Sequence, residues 1–500
     1  MKTWLFRWMK RGLFLVGAAL VTLLAVRIYD SQRGAPLEPW HTYVPAELSV
    51  AELDETDWSG YLHAEQAIFD DVREEVTKQL SAEDRVSFNR YFEGSPVYPG
   101  GFDHDWNHSF LLEPDGEPVG AAVFLHGLTD SPFSLRHIAR QYRDRGFVAV
   151  AIRMPGHGTV PAGLTEVEWE DWMAATRLAV REARKRVGPK PLHIIGYSNG
   201  GALAMKYALD ALDDDQLARP DRLILISPMI GITRFARFAG LAGLPAVLPA
   251  FAKAAWLGIV PEFNPFKYNS FPVNAARQSH SLTVALQQRI SRAASEGRLG
   301  ELPPVLTFQS VMDSTVSTSA VITALYSRLP DNGSELVLFD LNRSAELGPL
   351  LNTGPERILS RVLPPAPRSY RTTLIVNESP ATSDVVAQTT DAGSTQATIK
   401  PLGLAYPNTV FSLSHVALPF PMDDGLYGLT PDGTEDFGIS LGTLAPRGEI
   451  GALIVNMDTL LRISSNPFFS YMSDRIDEKI GMDMPRSAVT GAGPVEQEAR

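Results

Sequence analysis

The run Ile194-Ile195-Gly196-Tyr197-Ser198-Asn199-Gly200-Gly201-Ala202 constrains this chain more than any other stretch. Pro191 to Ile195 reads as a short apolar strand, and Ala202 to Leu209 is built from strong helix formers. Between them, Gly196 and Gly200 bracket Ser198 two residues to either side. A serine held proud of so tight a strand-to-helix turn needs a strained backbone conformation, and the glycines leave room for it. The helix that starts behind the serine aims its first N–H groups at any negative charge formed there. A glycine–serine–glycine pattern of this spacing is expected by chance about 0.15 times in a chain of this length. The flanking strand and helix therefore carry the inference. They make Ser198 the candidate nucleophile.

The formal net charge of −12 excludes a chain built to grip nucleic acid, which needs a basic face. There is no cysteine, so disulfides, thiolate metal sites and a cysteine nucleophile are all excluded. A hydrophobic content of 44% supports a full core.

Residues 1–11 carry Lys2, Arg7, Lys10 and Arg11 and no acid, ahead of the uncharged run Leu13 to Val26. No pair of small residues in a cleavage spacing follows this run. The expectation for residues 1–30 is an uncleaved signal anchor, with a cleaved signal as the alternative. The basic side stays cytoplasmic, which puts the rest of the chain on the outer face, the periplasmic side of a bacterial inner membrane. Residues 31–104 read as a linker followed by a helical lead-in, with Ile68, Val72, Val76 and Leu80 at helical spacing. His104 and His108 lack a third ligand and read as surface residues, so no metal is expected.

From residue 105 strands and helices alternate, which implies a mostly parallel central sheet flanked by helices. Ser109–Leu112 and Val119–Leu125 carry a hairpin signal around Pro114-Asp115-Gly116-Glu117. The rhythm breaks over residues 233–302, rich in Phe and Leu, which read as an inserted helical cap. It breaks again over 342–406, where Tyr370–Val376 and Thr398–Leu404 are candidates to pair as an antiparallel addition. Ala452 to Ile463, with Phe468 and Phe469, reads as a closing helix, and residues 471–500 as a tail whose last dozen residues are disordered.

Serine at its free pKa is a poor nucleophile and needs a histidine base oriented by a carboxylate. His415 is the only histidine after His280. Asp313 directly follows the strand-like run Val305–Val311 and is the candidate acid, with Asp340 at the end of the next strand as the competitor. Asp313 also suits a helix N-cap for Ser314 onward.

These residues, together with His126-Gly127-Leu128 and Pro155-Gly156-His157-Gly158, resemble the monoacylglycerol lipase and lysophospholipase-like, or carboxylesterase, branch of the α/β-hydrolases over about residues 105–430. The resemblance implies an α/β-hydrolase domain at 105–470, with Ser198 as nucleophile, Asp313 as acid and His415 as base. It also implies an oxyanion hole from the backbone N–H groups of Leu128 and Asn199. One departure stands out: the stretch between Asp313 and His415 is longer than that branch has. The function expected is a serine ester hydrolase acting on small-molecule or lipid esters, without cofactor. A thioesterase, amidase or peptidase using the same triad, or a non-catalytic binding protein of this fold, are the alternatives.

Overall fold

The computed structural model of the chain describes residues 2–231, 249–344, 361, 363–445, 447 and 453–484. Short apolar segments separated by glycine and proline turns form a ten-stranded sheet. Its strands are β1 (Phe110–Leu112), β2 (Gly120–Leu125), β3 (Phe147–Ile152), β4 (Leu192–Tyr197) and β5 (Arg222–Ile226). After a two-stranded ribbon of β6 (Trp256–Gly258) and β7 (Phe271–Pro272), the sheet continues with β8 (Val305–Ser310) and β9 (Glu335–Phe339). It ends with β10 (Arg371–Asn377), β11 (Asp384–Thr390) and β12 (Ala397–Ala405). The order across the sheet is β1-β3-β2-β4-β5-β8-β9-β10-β11-β12. From β3 across to β10 every neighbouring pair runs parallel. Strands β2, β3, β4, β5, β8 and β9 are buried along their whole length, as parallel strands covered on both faces must be.

The chain begins with the helix α1 (Lys2–Arg33) and the short turns α2 (Pro39–Thr42) and α3 (Val50–Glu55), followed by α4 (Trp58–Glu75). The helices that cover the sheet are α5 (Arg136–Asp144), α6 (Trp169–Val187), α7 (Asn199–Asp210), α8 (Val273–Ser295) and α9 (Phe469–Asp483). Along β4, Ile194 joins one core with Leu178 of α6, Leu203 of α7 and Leu286 of α8. Its neighbour Ile195 joins the other, with Ile138 of α5 and Ile476 of α9. That alternation is the two-residue period of a strand.

Glu47 and α4 bind the lead-in to the domain through one buried cation. Arg153, fully buried after β3, meets Glu47 Oε1 at 2.7 Å and Glu65 Oε1 at 3.1 Å. Glu47 Oε1 also accepts from the Gly156 N–H at 2.8 Å. On the opposite face the buried Arg136 meets Asp424 at 2.7 Å and Glu435 at 2.6 Å, fastening the segment that follows His415. Burying such charges is tolerable only because each is paired.

Several expectations change. β1 does not form a hairpin with β2: both edges of β2 are occupied by the parallel strands β3 and β4, and β1 pairs antiparallel with β3 instead. β10 and β12 both form, but they do not pair with each other, because β11 lies between them and hydrogen-bonds to both. Among the described residues of 452–463 only Met457–Leu460 is helical, and the closing helix is α9, which starts at Phe469 and buries Met472, Ile476 and Ile480 at helical spacing. Residues 471–484 thus pack one face on the core and are not tail. The last dozen residues and the first part of the expected cap, 233–248, lie outside the described residues. The later part of that stretch, α8, packs into the core beside α6 and α7 through Leu282, Leu286 and Ile290. α1 contains the expected anchor run. Some of its side chains, Leu20, Leu23 and Leu24 among them, lie outside the described residues, and among the rest no helix is long and apolar enough to cross a membrane.

Candidate active site

Ser198 stands between the last residue of β4 and the first of α7 with φ 55° and ψ −114°, a conformation that costs energy for any side chain. The turn is locked from several directions. Ser198 N–H donates to Ile226 O at 3.0 Å, and Ser198 O accepts from Gly201 N at 3.0 Å and Met229 N at 2.9 Å. A Cβ on Gly200 would lie 1.9 Å from Leu125 O, and one on Gly196 would lie 2.4 Å from Gly200 O. Both glycines are therefore dictated by close backbone approach. Ser198 keeps 8% of its surface exposed.

β8 ends at Ser310 and delivers Asp313 in the following turn, while His415 arrives from the loop beyond β12. Asp313 Oδ2 and His415 Nδ1 are 2.8 Å apart. Asp313 Oδ1 accepts from Thr315 N at 2.8 Å and Val316 N at 3.0 Å, and Gln309 Nε2 donates to Oδ2 at 3.2 Å. Burial by itself would raise the Asp313 pKa, but His415 and these amides outweigh it and hold the carboxyl below its usual range. The ring of Tyr197, the residue before the serine, stacks on the His415 ring at 5.4 Å, and its hydroxyl donates to His415 O at 3.3 Å. Asp340, the competing acid, is engaged elsewhere. Arg343 Nε donates to its carboxylate at 2.8 Å, and its backbone carbonyl accepts from Tyr406.

His126-Gly127-Leu128 follows β2 and passes close to the serine, since a Cβ on Gly127 would lie 3.2 Å from Ser198 Cβ. The His126 ring is held at both nitrogens: Nδ1 is 2.9 Å from Gly127 O, and Nε2 is 3.0 Å from Met154 N. A backbone N–H can only donate, so Nε2 accepts and Nδ1 carries the proton given to Gly127 O. Burial pushes this imidazole down to about 3, so it is neutral. Gly127 C=O and Leu128 N–H belong to one peptide plane and point in opposite directions. Tethering the carbonyl to His126 fixes the direction in which the Leu128 N–H points. Asn199 contributes the first N–H of α7.

Sequence reasoning missed two contributors. Tyr197 and Gln309 carry no motif and are recognisable only from their contacts with His415 and Asp313. Asp130, two residues beyond Leu128, is buried with Oδ1 held by Ser134 at 2.7 Å and Oδ2 without a partner among the described residues. Among the described residues no group of three or more His, Asp or Glu side chains could hold a metal ion. His108 stacks on Phe69 with ring centroids 3.6 Å apart, and His104 meets Trp106 edge-on at 4.1 Å.

Residues 116–340 match the family model described as serine aminopeptidase, S33. A thermostable monoacylglycerol lipase of Bacillus sp. (strain H-257) is 30% identical over 91 residues, which is 18% of this chain. The match spans 35% of that relative's length. Similar solved structures include one of the metagenome-derived lipolytic enzymes LipS and LipT, at 22% identity over 52% of this chain and 96% of its own, TM-score 0.37. Another is a soluble variant of Saccharomyces cerevisiae monoglyceride lipase with a substrate analogue, at 16% identity over 46% of this chain and 82% of its own, TM-score 0.36. By the matched stretch, the strand order and the strained strand-to-helix turn, this chain has the α/β-hydrolase fold.

Proposed function

We propose that the chain is a serine carboxylic-ester hydrolase of the esterase or lipase kind. Ser198 Oγ attacks the ester carbonyl, His415 takes its proton, and Asp313 holds the imidazole in the tautomer that leaves Nε2 free for this work. The N–H groups of Leu128 and Asn199 receive the negative charge that develops on the carbonyl oxygen. His415 then protonates the departing alcohol, and water releases the acyl group by the same steps in reverse. The observation that carries this reading is the 2.8 Å contact of His415 Nδ1 with Asp313 Oδ2, on a ring stacked against Tyr197, the residue next to a serine at φ 55°.

The test is the full chain in mild detergent against p-nitrophenyl esters from acetyl to palmitoyl, with Ser198→Ala beside it. Turnover that vanishes in the variant supports the reading. If no ester is cleaved but a fluorophosphonate labels Ser198, the acyl group comes from a thioester, amide or peptide; the family model's description as an aminopeptidase makes peptides the first to try. No labelling favours a binding protein.

The same proposal places α1 as a membrane anchor, with Lys2, Arg7, Lys10 and Arg11 on the cytoplasmic side and the catalytic domain outside. Fractionation of cells, with protease applied from the outer face, checks it. A chain recovered whole from the soluble cytoplasm would overturn it.

A further inference from the structure

Beside the catalytic pair lies a cavity of about 640 Å³ built mainly from residues 409–464, a stretch beyond the matched part of the chain. That volume falls within the range of about 300–1,000 Å³ of ordinary small-molecule sites. Leu413, Leu429, Leu444, Leu460 and Ile463 contribute apolar walls, and His415 is itself part of the lining. At its margin Met312 is 38% and Phe411 49% exposed. The wall is fixed to the histidine loop. Ser414 Oγ donates to Arg462 O at 2.6 Å, and the Arg462 guanidinium reaches Thr315, two residues past Asp313.

We propose that this cavity receives the hydrocarbon of the alcohol that leaves the ester; the inference rests on the esterase reading above. The argument is one of sides. The carbonyl oxygen of a bound ester must face the Leu128 and Asn199 amides, and neither those residues nor Ser198 lines the cavity. The departing oxygen must face His415, because that imidazole returns the proton, and His415 does line it. In the step concerned the bond between the acyl carbon and the alcohol oxygen breaks. The serine oxygen keeps the acyl group, and the proton taken from Ser198 passes from His415 to the alcohol. The hydrocarbon chain of that alcohol lies against Leu413 and Leu460. Substrates with a long or bulky apolar alcohol are thereby favoured over those with a small one.

Two isomeric esters isolate the side of the bond: hexyl acetate, whose chain is on the alcohol, and ethyl hexanoate, whose chain is on the acid. With full-length enzyme the ratio of kcat/KM for hexyl acetate over ethyl acetate should fall at least tenfold in Leu460→Trp, which fills the cavity. It should fall similarly in Phe411→Asp, which places a charge on an exposed part of the lining where folding is not at stake. The ratio for ethyl hexanoate over ethyl acetate should move less than threefold. If ethyl hexanoate is the ester affected, or neither ratio moves, the assignment is overturned. A second measurement does not depend on turnover: 1-hexanol should bind saturably to full-length Ser198→Ala, and at least tenfold more weakly when Phe411→Asp is added. Binding that Phe411→Asp leaves unchanged, or its absence, overturns the cavity assignment even if esters are cleaved. An enzyme that cleaves no ester, yet binds 1-hexanol in this way, would retire the esterase reading and leave the cavity standing as an alcohol site.

Discussion

Asp313 Oδ2 and His415 Nδ1 lie 2.8 Å apart although 102 positions separate them in sequence, while Asp340, nearer to His415 along the chain, is held by Arg343 instead. Asp313→Asn should therefore lower kcat by about 10⁴, since the amide favours the wrong imidazole tautomer. Asp340→Asn should leave kcat within a few-fold of the parent. Steady-state kinetics on one soluble ester decides it; equal losses in both variants would remove Asp313 from its role.

The buried neutral histidines set an acid limit on stability. His126 is pushed down to about 3 and His41 to about 4, both chiefly by burial. Their folded values lie below the unfolded one of about 6.5, so the unfolded chain binds more protons between the two. Stability is complete above about pH 6.5 and falls as pH drops toward the folded values, by about 2 kcal/mol per group at pH 5. Urea unfolding at pH 7 and pH 5 should show that fall, and His41→Gln should reduce it by about 2 kcal/mol. An unchanged difference would mean that His41 does not titrate on unfolding in this range.

His126 does not touch the reacting atoms; it positions the loop that supplies the Leu128 amide. His126→Ala should reduce kcat by about 10²–10³, the usual cost of losing one oxyanion donor, with KM nearly constant. His126→Asn, whose amide can still donate to Gly127 O, should recover part of that loss. Equal losses in the two variants, accompanied by a raised KM, would reduce His126 to a packing residue.

Gly200→Ala should not yield folded protein, because its methyl group would lie 1.9 Å from Leu125 O and that backbone cannot retreat without dismantling β2. Gly481→Ala, in α9 with nothing within 4 Å of the added Cβ, is the control. It should hold or raise the melting temperature, helix propensity favouring alanine by up to about 1 kcal/mol. Soluble expression and thermal melts compare the two.

What the sequence made legible was what local rules govern. Gly196 is dictated by Gly200 O in its own turn and Gly200 by Leu125 O at the end of β2, yet both fall at a fixed spacing about Ser198, so the spacing announces the turn. The strands β3 and β8 are continuous apolar runs between turn residues and were recoverable almost to the residue. The sequence favours Asp313 but keeps Asp340 as a competitor, since both follow a strand; the contact with His415, arriving from beyond β12, is a long-range relation that no local pattern carries. β11 escaped notice because Asp384–Thr390 alternates weakly and owes its place to hydrogen bonds from β10 and β12. Beyond its first turn α9 reads as tail from the sequence because it is dense in charged residues, and the packing of Met472, Ile476 and Ile480 overrides that average.

The added strands carry a consequence for how copies of this protein behave when crowded. β12 is the last strand of the sheet, and its outer side has no strand beside it among the described residues. Such an edge invites another molecule to zip onto it, and Ile399, 61% exposed, would reward the contact. Lys400 and Pro401 stand next in line. The lysine sets like charge against like in a twin paired about that residue, and the proline has no N–H to donate. The chain can therefore widen its sheet to carry the histidine loop without turning that margin into a seed for fibrils.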